Sequence, residues 1–456
     1  MTDFNDIGLP KPLLRALREI DFSAATPVQA ACLPAILDGR DVIAQARTGS
    51  GKTAAFALGM LARLDADRIA LQGLVLCPTR ELADQVAKDI RRLAMFIPNV
   101  KVLTLTGGTP IRPQLSSLGH EPHIVVGTPG RLLDLAHRDA LRLGGVRMLV
   151  LDEADRMLDM GFLDAMRDVA SRVSAKRQTL LFSATLPDDI RAISRDFQKD
   201  PLAVNVVADD AETIEQVFIE AEPARKPDII NRLLRHHRPA SAVVFCNQKA
   251  TVDDMALALR TKGHAALALH GDLDQRDREQ VLVQFSNGSA TVLVASDVAA
   301  RGLDISELEM VINADIATDP ETHVHRIGRT GRAGRVGRAV TLVDPRRKGR
   351  AQQVEEQLGA PLRWEDAPRE EGAAPAGPPN VTLAIDGGKT DKLRAGDILG
   401  ALTKDAGIPG QAVGSIDIFP TRSYVALAAA QADRAVKKLR DSRIKNRRFR
   451  IRKLHW

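Results

Sequence analysis

The chain alternates short aliphatic runs with longer stretches of helical spacing, and it does so twice. In the first stretch the runs are Asp41 to Ala46 (DVIAQA), Gly73 to Thr79 (GLVLCPT), Val100 to Thr106, Ile124 to Thr128, Met148 to Asp152 (MLVLD) and Thr179 to Ser183 (TLLFS). In the second they are Ala242 to Cys246 (AVVFC), Ala265 to His270, Thr291 to Ser296 (TVLVAS), Met310 to Ala314 and Ala339 to Val343. Unbroken Val, Leu and Ile runs, in place of strict alternation, predict strands buried on both faces, as in a parallel sheet covered by helices. Two doubly wound α/β domains follow, residues 1–207 and 208–364, with Ala208 to Glu212 (ADDAE) as an acidic connector. In such sheets ligands sit beyond the carboxyl ends of the strands, so the polar residues just after each run are the site candidates.

Beyond the second domain the pattern changes. Ala367 to Asn380 (APREEGAAPAGPPN) holds four Pro and two Gly with little to bury, which marks 365–379 as a linker. Residues 380–456 then predict a strand at Val381 to Ile385, a helix around Ile398 to Ala406, strands near Ser415 to Phe419 and Tyr424 to Leu427, a helix Ala430 to Arg440 and a last strand Arg448 to Ile451. That β-α-β-β-α-β order is the small split βαβ plan, RRM-like.

Charge sharpens this division. Residues 380–456 hold 16 Lys plus Arg against 7 Asp, a local +9 in a chain whose total is +6, so residues 1–379 carry a net −3. Within Arg434 to Lys453 there are 11 basic residues and one opposing carboxylate, Asp441. Such density attracts a polyanion through phosphate contacts and counterion release; a solvated basic face or an acidic protein partner is the alternative. With 12 Phe, 2 Trp and 1 Tyr, the chain has aliphatic cores and few rings for bases to stack on. The three cysteines, Cys32, Cys77 and Cys246, are scattered without a CxxC pair, which excludes a disulfide scaffold and fits a reducing compartment. No uncharged apolar run reaches the roughly 18 residues of a membrane span, so the expectation is a cytoplasmic protein without membrane association.

Ala46 to Thr53 reads ARTGSGKT, directly after a strand and before a helical stretch. It is a Walker-type phosphate loop: Thr48, Gly49, Ser50 and Gly51 turn backbone N–H groups toward phosphates, Lys52 reaches the outer phosphates and Thr53 can ligate Mg²⁺. Asp152 to Asp155 (DEAD) follows the run MLVL, where Asp152 suits a second Mg²⁺ ligand, largely through water, and Glu153 suits orientation of the attacking water. An acidic helix start is the structural alternative. In the second domain His325 to Arg332 (HRIGRTGR) offers Arg329 and Arg332 as stabilisers of phosphoryl-transfer charge. A flexible basic loop remains the reading for Arg335 and Arg338. His323 and His325 form an H-x-H without a third ligand nearby, read as non-metal.

Taken together, these motifs resemble those of the DEAD-box RNA helicases across both α/β domains. Phe22 with Thr26 to Gln29 (TPVQ) resembles the adenine-reading Q motif, with Asp21 and Ala25 departing from the usual Gly and Pro. The resemblance implies that Phe22 stacks on the base and Gln29 bonds its edge. It also implies RNA-backbone contacts at Arg80 (PTREL), Gly108, Thr128 and Arg131 (TPGR), with Arg278 (QRDR) in the second domain. Ser183 and Thr185 (SAT) would couple hydrolysis to strand separation, with His325. Asp304 (SDVAARGLD) would contact the ribose, with Arg301 and Gly302 near the interlobe contacts. Alone, PTREL could be a turn and a cap, with Thr79 as N-cap.

The segment from Val381 is similar to the RNA-binding domain of the DbpA-type bacterial helicases, which implies a hairpin of large-subunit ribosomal RNA as target. Its sheet offers Thr382, Leu383, Ala384 and Tyr424 where stacking aromatics are expected, so binding is assigned to Arg443, Lys445, Arg447, Arg448 and Arg450, with Gly387 to Lys392 as a second candidate. The expectation is a pair of RecA-like lobes plus an RRM-like domain, using ATP and Mg²⁺ to unwind RNA locally, with pre-ribosomal particles as partners. An ATP-gated RNA clamp without unwinding and a DNA-directed translocase are the alternatives.

Overall fold

The computed structural model describes residues 2–46, 49–186, 188–206, 214–300, 308–331, 336–369, 372–441, 443–445 and 447–456; the side chains of 298, 300, 440 and 441 lie outside the description. The chain forms two compact units that divide near residue 209. In the first, β1 (Val42–Ala46), β2 (Gly73–Leu76), β3 (Val102–Leu105), β4 (Ile124–Gly127), β5 (Met148–Leu151), β6 (Gln178–Ser183) and β7 (Leu202–Val206) form a parallel sheet in the order β3-β4-β2-β5-β6-β1-β7. Both faces are dry: Val42 and Ala44 enter one core while Ile43 enters the other, and Val75 lies opposite Leu74 and Leu76. That two-sided burial is why these strands read as unbroken aliphatic runs.

The second unit holds two sheets. β8 (Ile214–Glu220), β9 (Ala242–Cys246), β10 (Ala266–Leu269), β11 (Val292–Ser296), β12 (Met310–Asn313) and β13 (Gly337–Val343) form a parallel sheet in the order β10-β11-β9-β12-β13-β8. β14 (Asn380–Ile385), β15 (Val413–Ile418), β16 (Ser423–Ala428) and β17 (Ile451–Lys453) form an antiparallel sheet in the order β15-β16-β14-β17. Helices Ala395–Gly400 and Ala429–Asp441 complete the expected element order. The first continues as a wider π turn, Ala401–Asp405. One strand is displaced from expectation: Arg448 to Arg450 are irregular and β17 begins at Ile451, because Ile451 pairs with Ile385 while Phe449 packs into the small core.

The Pro- and Gly-rich connection is held along the second sheet domain. The N–H of Glu365 donates to the Phe218 carbonyl, Arg232 donates to the carbonyl of Pro368 at 3.0 Å, and Arg235 donates to that of Gly372 at 2.9 Å. A Cβ on Gly372 would press against the Arg235 carbonyl at 2.5 Å, so this close approach requires glycine there. The connector at 208–212 lies outside the described residues, and among the described residues no helix is long and apolar enough to cross a membrane.

Candidate functional site

The phosphate loop lies where β1 hands over to the helix Lys52–Ala62, and that helix is capped by Gly51. Lys52 is buried, and its Nζ donates to the Ala46 carbonyl at 2.7 Å. Gln29, buried in the helix Pro27–Leu37, accepts from the Thr26 N–H at 3.0 Å and donates to the Gly51 carbonyl at 3.1 Å, which ties the Q-motif helix to the loop. Phe22 remains 40% exposed, with its ring free of the core clusters. Thr26 Oγ1 and Ser50 Oγ are buried and, among the described residues, have no hydrogen-bond partner. Gly49, Gly51 and Thr53 lie in the described loop, whereas Thr48 lies outside the described residues.

Asp152 and Glu153 follow β5, both buried, with Glu153 in the left-handed region at φ 50°. Burial pushes the Asp152 carboxyl up to about 7, with Lys52 pulling it down and Glu153 pushing it further up. Asp152 thus sits between the Lys52 charge and the neighbouring Glu153 carboxylate, a place where a divalent cation would add counter-charge. Thr53 and Asp152 give two oxygen donors, and among the described residues no group of three or more acidic, His or Cys side chains could hold a metal. Such a sparse set suits an ion that keeps most of its waters, as Mg²⁺ does. Asp155 turns the other way: its Oδ2 accepts from the Ala184 and Thr185 N–H groups, each at 3.1 Å, and from Thr185 Oγ1 at 3.2 Å. Its own N–H donates to Ser183 Oγ at 3.4 Å. The end of β6 is thus fastened to the segment that carries Asp152 and Glu153.

A second group converges at the carboxyl ends of β2, β3 and β4. Thr79 caps the helix Arg80–Leu93 by accepting from the Leu82 N–H at 3.3 Å. The Arg80 guanidinium lies against Gly108, where a Cβ would overlap it. Thr128 Oγ1 accepts from the Gly107 N–H at 3.3 Å, and Arg131 donates to the Thr109 carbonyl at 3.0 Å. Sequence positions 80, 108, 128 and 131 therefore form one basic rim.

In the second unit Arg278 donates to the Ala299 carbonyl at 2.7 Å, tying the helix Gln275–Ser286 to the segment after β11. Arg329 is buried just beyond the helix Pro320–Ile327, and His325 sits on that helix. Arg301, Gly302, Asp304, Arg332 and Arg335 lie outside the described residues. His323 packs on Phe218 at 5.7 Å and contacts Gln216 at 3.4 Å. Sequence reasoning missed Arg326. Only 2% exposed, it clamps Asp297 with two hydrogen bonds of 2.6 Å, and also donates to Asn247 Oδ1 and to the Asp315 carbonyl at 2.7 Å each. Those partners lie up to 79 positions away, so nothing local signals them.

The terminal domain turns its sheet inward. Tyr424, the one aromatic at the sheet positions where stacking rings would stand, is 1% exposed and clusters with Ala384, Leu454 and Val283 of the helix Gln275–Ser286. Phe419 meets its edge at 5.6 Å. Burial and Glu279 of that same helix hold the Tyr424 hydroxyl above the usual phenol range. A polar seam runs alongside: Asn287 Nδ2 donates to Thr382 Oγ1 at 2.9 Å, and Thr382 Oγ1 donates to Ser289 Oγ at 2.8 Å. The basic stretch lies elsewhere. Lys445 donates to the Lys392 carbonyl at 2.6 Å and Arg447 pairs with Asp391 at 3.4 Å, so the two candidate RNA segments make one surface. Arg443, Arg448 and Arg450 are exposed on it.

Comparison with known proteins matches residues 26–193 to the DEAD/DEAH box helicase family, 225–334 to the helicase conserved C-terminal domain and 382–453 to the DbpA RNA binding domain. The chain is 52% identical over 456 residues to the ATP-dependent RNA helicase DbpA of Escherichia coli (strain K12), covering 100% of both. It is 45% identical over 370 residues to the DEAD-box ATP-dependent RNA helicase CshA of Bacillus cereus (strain ATCC 10987 / NRS 248), 81% of this chain and 70% of that one. Among solved structures, S. cerevisiae Dbp5 bound to RNA and ADP BeF3 is similar with a TM-score of 0.74 at 30% identity, over 80% of this chain and 96% of that chain.

Proposed function

The chain belongs to the DEAD-box ATP-dependent RNA helicases, and from that premise we propose that it couples RNA-stimulated ATP hydrolysis to local duplex opening at large-subunit ribosomal RNA during ribosome assembly in the cytoplasm. Residues 1–207 and 208–364 act as motor lobes and 380–456 as the anchor. Phe22 and Gln29 hold the adenine, the loop 48–53 and Lys52 hold the phosphates, and Asp304 the ribose. Glu153 orients the attacking water, while Arg329 and Arg332 face the developing charge from the other lobe. Thr53 and Asp152 would hold Mg²⁺, which would supply positive charge against the charge that develops on the phosphates. RNA is gripped at Arg80, Gly108, Thr128, Arg131 and Arg278. Lys52 and Arg329 belong to different compact units, so hydrolysis requires their closure, and RNA spanning both favours it.

The observation that carries the targeting step is the inward-facing sheet. With Tyr424 buried and the basic surface around Lys445 and Arg447 exposed, the anchor reads RNA through Arg443, Lys445, Arg447, Arg448 and Arg450. The test is ATP turnover by the full chain and by a full-length variant with Arg443, Lys445, Arg447 and Arg448 changed to Ser. Each is given ribosomal RNA, an unrelated structured RNA and single-stranded DNA. Selective stimulation by ribosomal RNA, lost in the variant, is expected. Equal stimulation of both chains by every RNA would leave a general helicase and refute the targeting reading.

A further inference from the structure

The backbone N–H of Arg329 bonds the carbonyl of Arg326, and Arg326 sits in a buried charge network whose far end is Lys226, a residue outside every motif considered above. Lys226 opens the helix Lys226–His237, is 8% exposed, and its Nζ lies 2.6 Å from Asp315 Oδ1. Stability alone gives no reason for that choice. A cation at a helix N-terminus opposes the helix dipole, and burying it adds a desolvation cost that a pair recovers only with good geometry. An apolar side chain would fill the position at no such cost.

What Lys226 does is orient Asp315. The other carboxylate oxygen of Asp315 accepts from the Asn247 N–H at 3.1 Å, and its backbone carbonyl accepts from Arg326 Nη1 at 2.7 Å. Asn247 in turn offers Oδ1 to Arg326 Nη2 at 2.7 Å and donates from Nδ2 to the Ile316 carbonyl at 3.0 Å. Arg326 is clamped by Asp297, and its carbonyl accepts the N–H of Arg329 at 3.2 Å. The ends of β9 and β12, the start of the segment after β11 and the last turn before Arg329 are therefore joined through two cations and two carboxylates.

We propose that Lys226 and Asp315 are a positioning pair for ATP hydrolysis: they hold Arg326, and through it Arg329, in the register the reaction needs. This rests on Arg329 acting at the transferring phosphoryl group. The test uses the full chain with Lys226→Met/Asp315→Asn, which leaves no charge buried alone, beside Lys226→Met, Lys226→Arg and Arg329→Ala. RNA-stimulated kcat, KM for ATP and thermal midpoint are measured for each. The expected result is a fall in kcat of about ten- to a hundredfold, the cost of a misplacement near 1 Å, in Lys226→Met and in the double variant. KM stays close to the unaltered chain, the midpoint holds in the double variant and falls only in Lys226→Met, where Asp315 is left unpaired, and Lys226→Arg recovers most of the turnover. An unaltered kcat in the double variant while Arg329→Ala is slow would overturn the pair's role. So would a loss of turnover that only follows a lowered midpoint. Full turnover in Arg329→Ala would instead sink the reading of Arg329.

Discussion

At the scale of single residues, Gly108 shows how a backbone position serves a charged one. Its φ of 65° and the Arg80 guanidinium lying where a Cβ would stand leave no room for a side chain. Gly108→Ala is expected to displace Arg80 from the rim it shares with Thr128 and Arg131. The loss is about one charged hydrogen bond, so the RNA concentration for half-maximal ATPase stimulation should rise by about tenfold. Nucleotide affinity should hold, since Lys52 and Gln29 are untouched. Titrating RNA against ATP turnover and a fluorescent nucleotide against the free protein separates the two. An unchanged RNA requirement would mean that Arg80 does not grip RNA.

Among elements, the helix Gln275–Ser286 carries two loads. Arg278 fixes the segment after β11 from one side, and Val283 packs on Ala384, Tyr424 and Leu454 from the other. Val283→Asp would bury an unpaired carboxylate at that seam, a cost of several kcal/mol, and the terminal domain is expected to separate from its neighbour. Limited proteolysis then cuts within 365–379 far faster than in the unaltered chain, with the helix Lys52–Ala62 still protected. An unaltered cleavage pattern would show the seam to be dispensable. Much of this architecture is legible in sequence, but only where one local rule operates. Central strands such as β2 and β9 announce themselves because both faces are dry. The edge strands β7 and β8 escape this rule, because their outer residues are partly exposed and LAVNV and IEQVFIE mix polar with apolar positions. The phosphate loop and the DEAD segment are contiguous and therefore readable. The Asp155 contacts with Thr185 span 30 positions and Lys226 with Asp315 spans 89, distances that local spacing does not encode. The same holds for the terminal sheet: its poverty of aromatics argues against base stacking, and only the packing shows that it covers a helix.

For the molecule as a whole, titration sets the two units apart. Burial pushes His237, His264 and His323 each down to about 4, with Arg338, Arg235 and Arg326 respectively adding to the effect, and all three lie in the second unit. Each folded value lies below the ordinary 6.5. Between those values the unfolded chain binds protons that the folded chain refuses. Stability therefore is whole above pH 6.5 and drains as pH falls toward 4. For the fully buried His323 that gap is worth on the order of 3 kcal/mol, and the half-exposed His237 contributes less because solvent screens it. The second unit, which carries Arg329 and the docked terminal domain, is thus expected to lose its fold as pH drops through this window. Calorimetry at pH 7.5 and pH 5 should show a lowered transition at the acid end. His264→Gln, which keeps a polar group facing Asn231, should flatten that dependence, since the partner lies 2.9 Å from the imidazole and accepts from an amide equally well. A variant that loses stability as steeply as the unaltered chain would place the acid sensitivity elsewhere than in this buried imidazole.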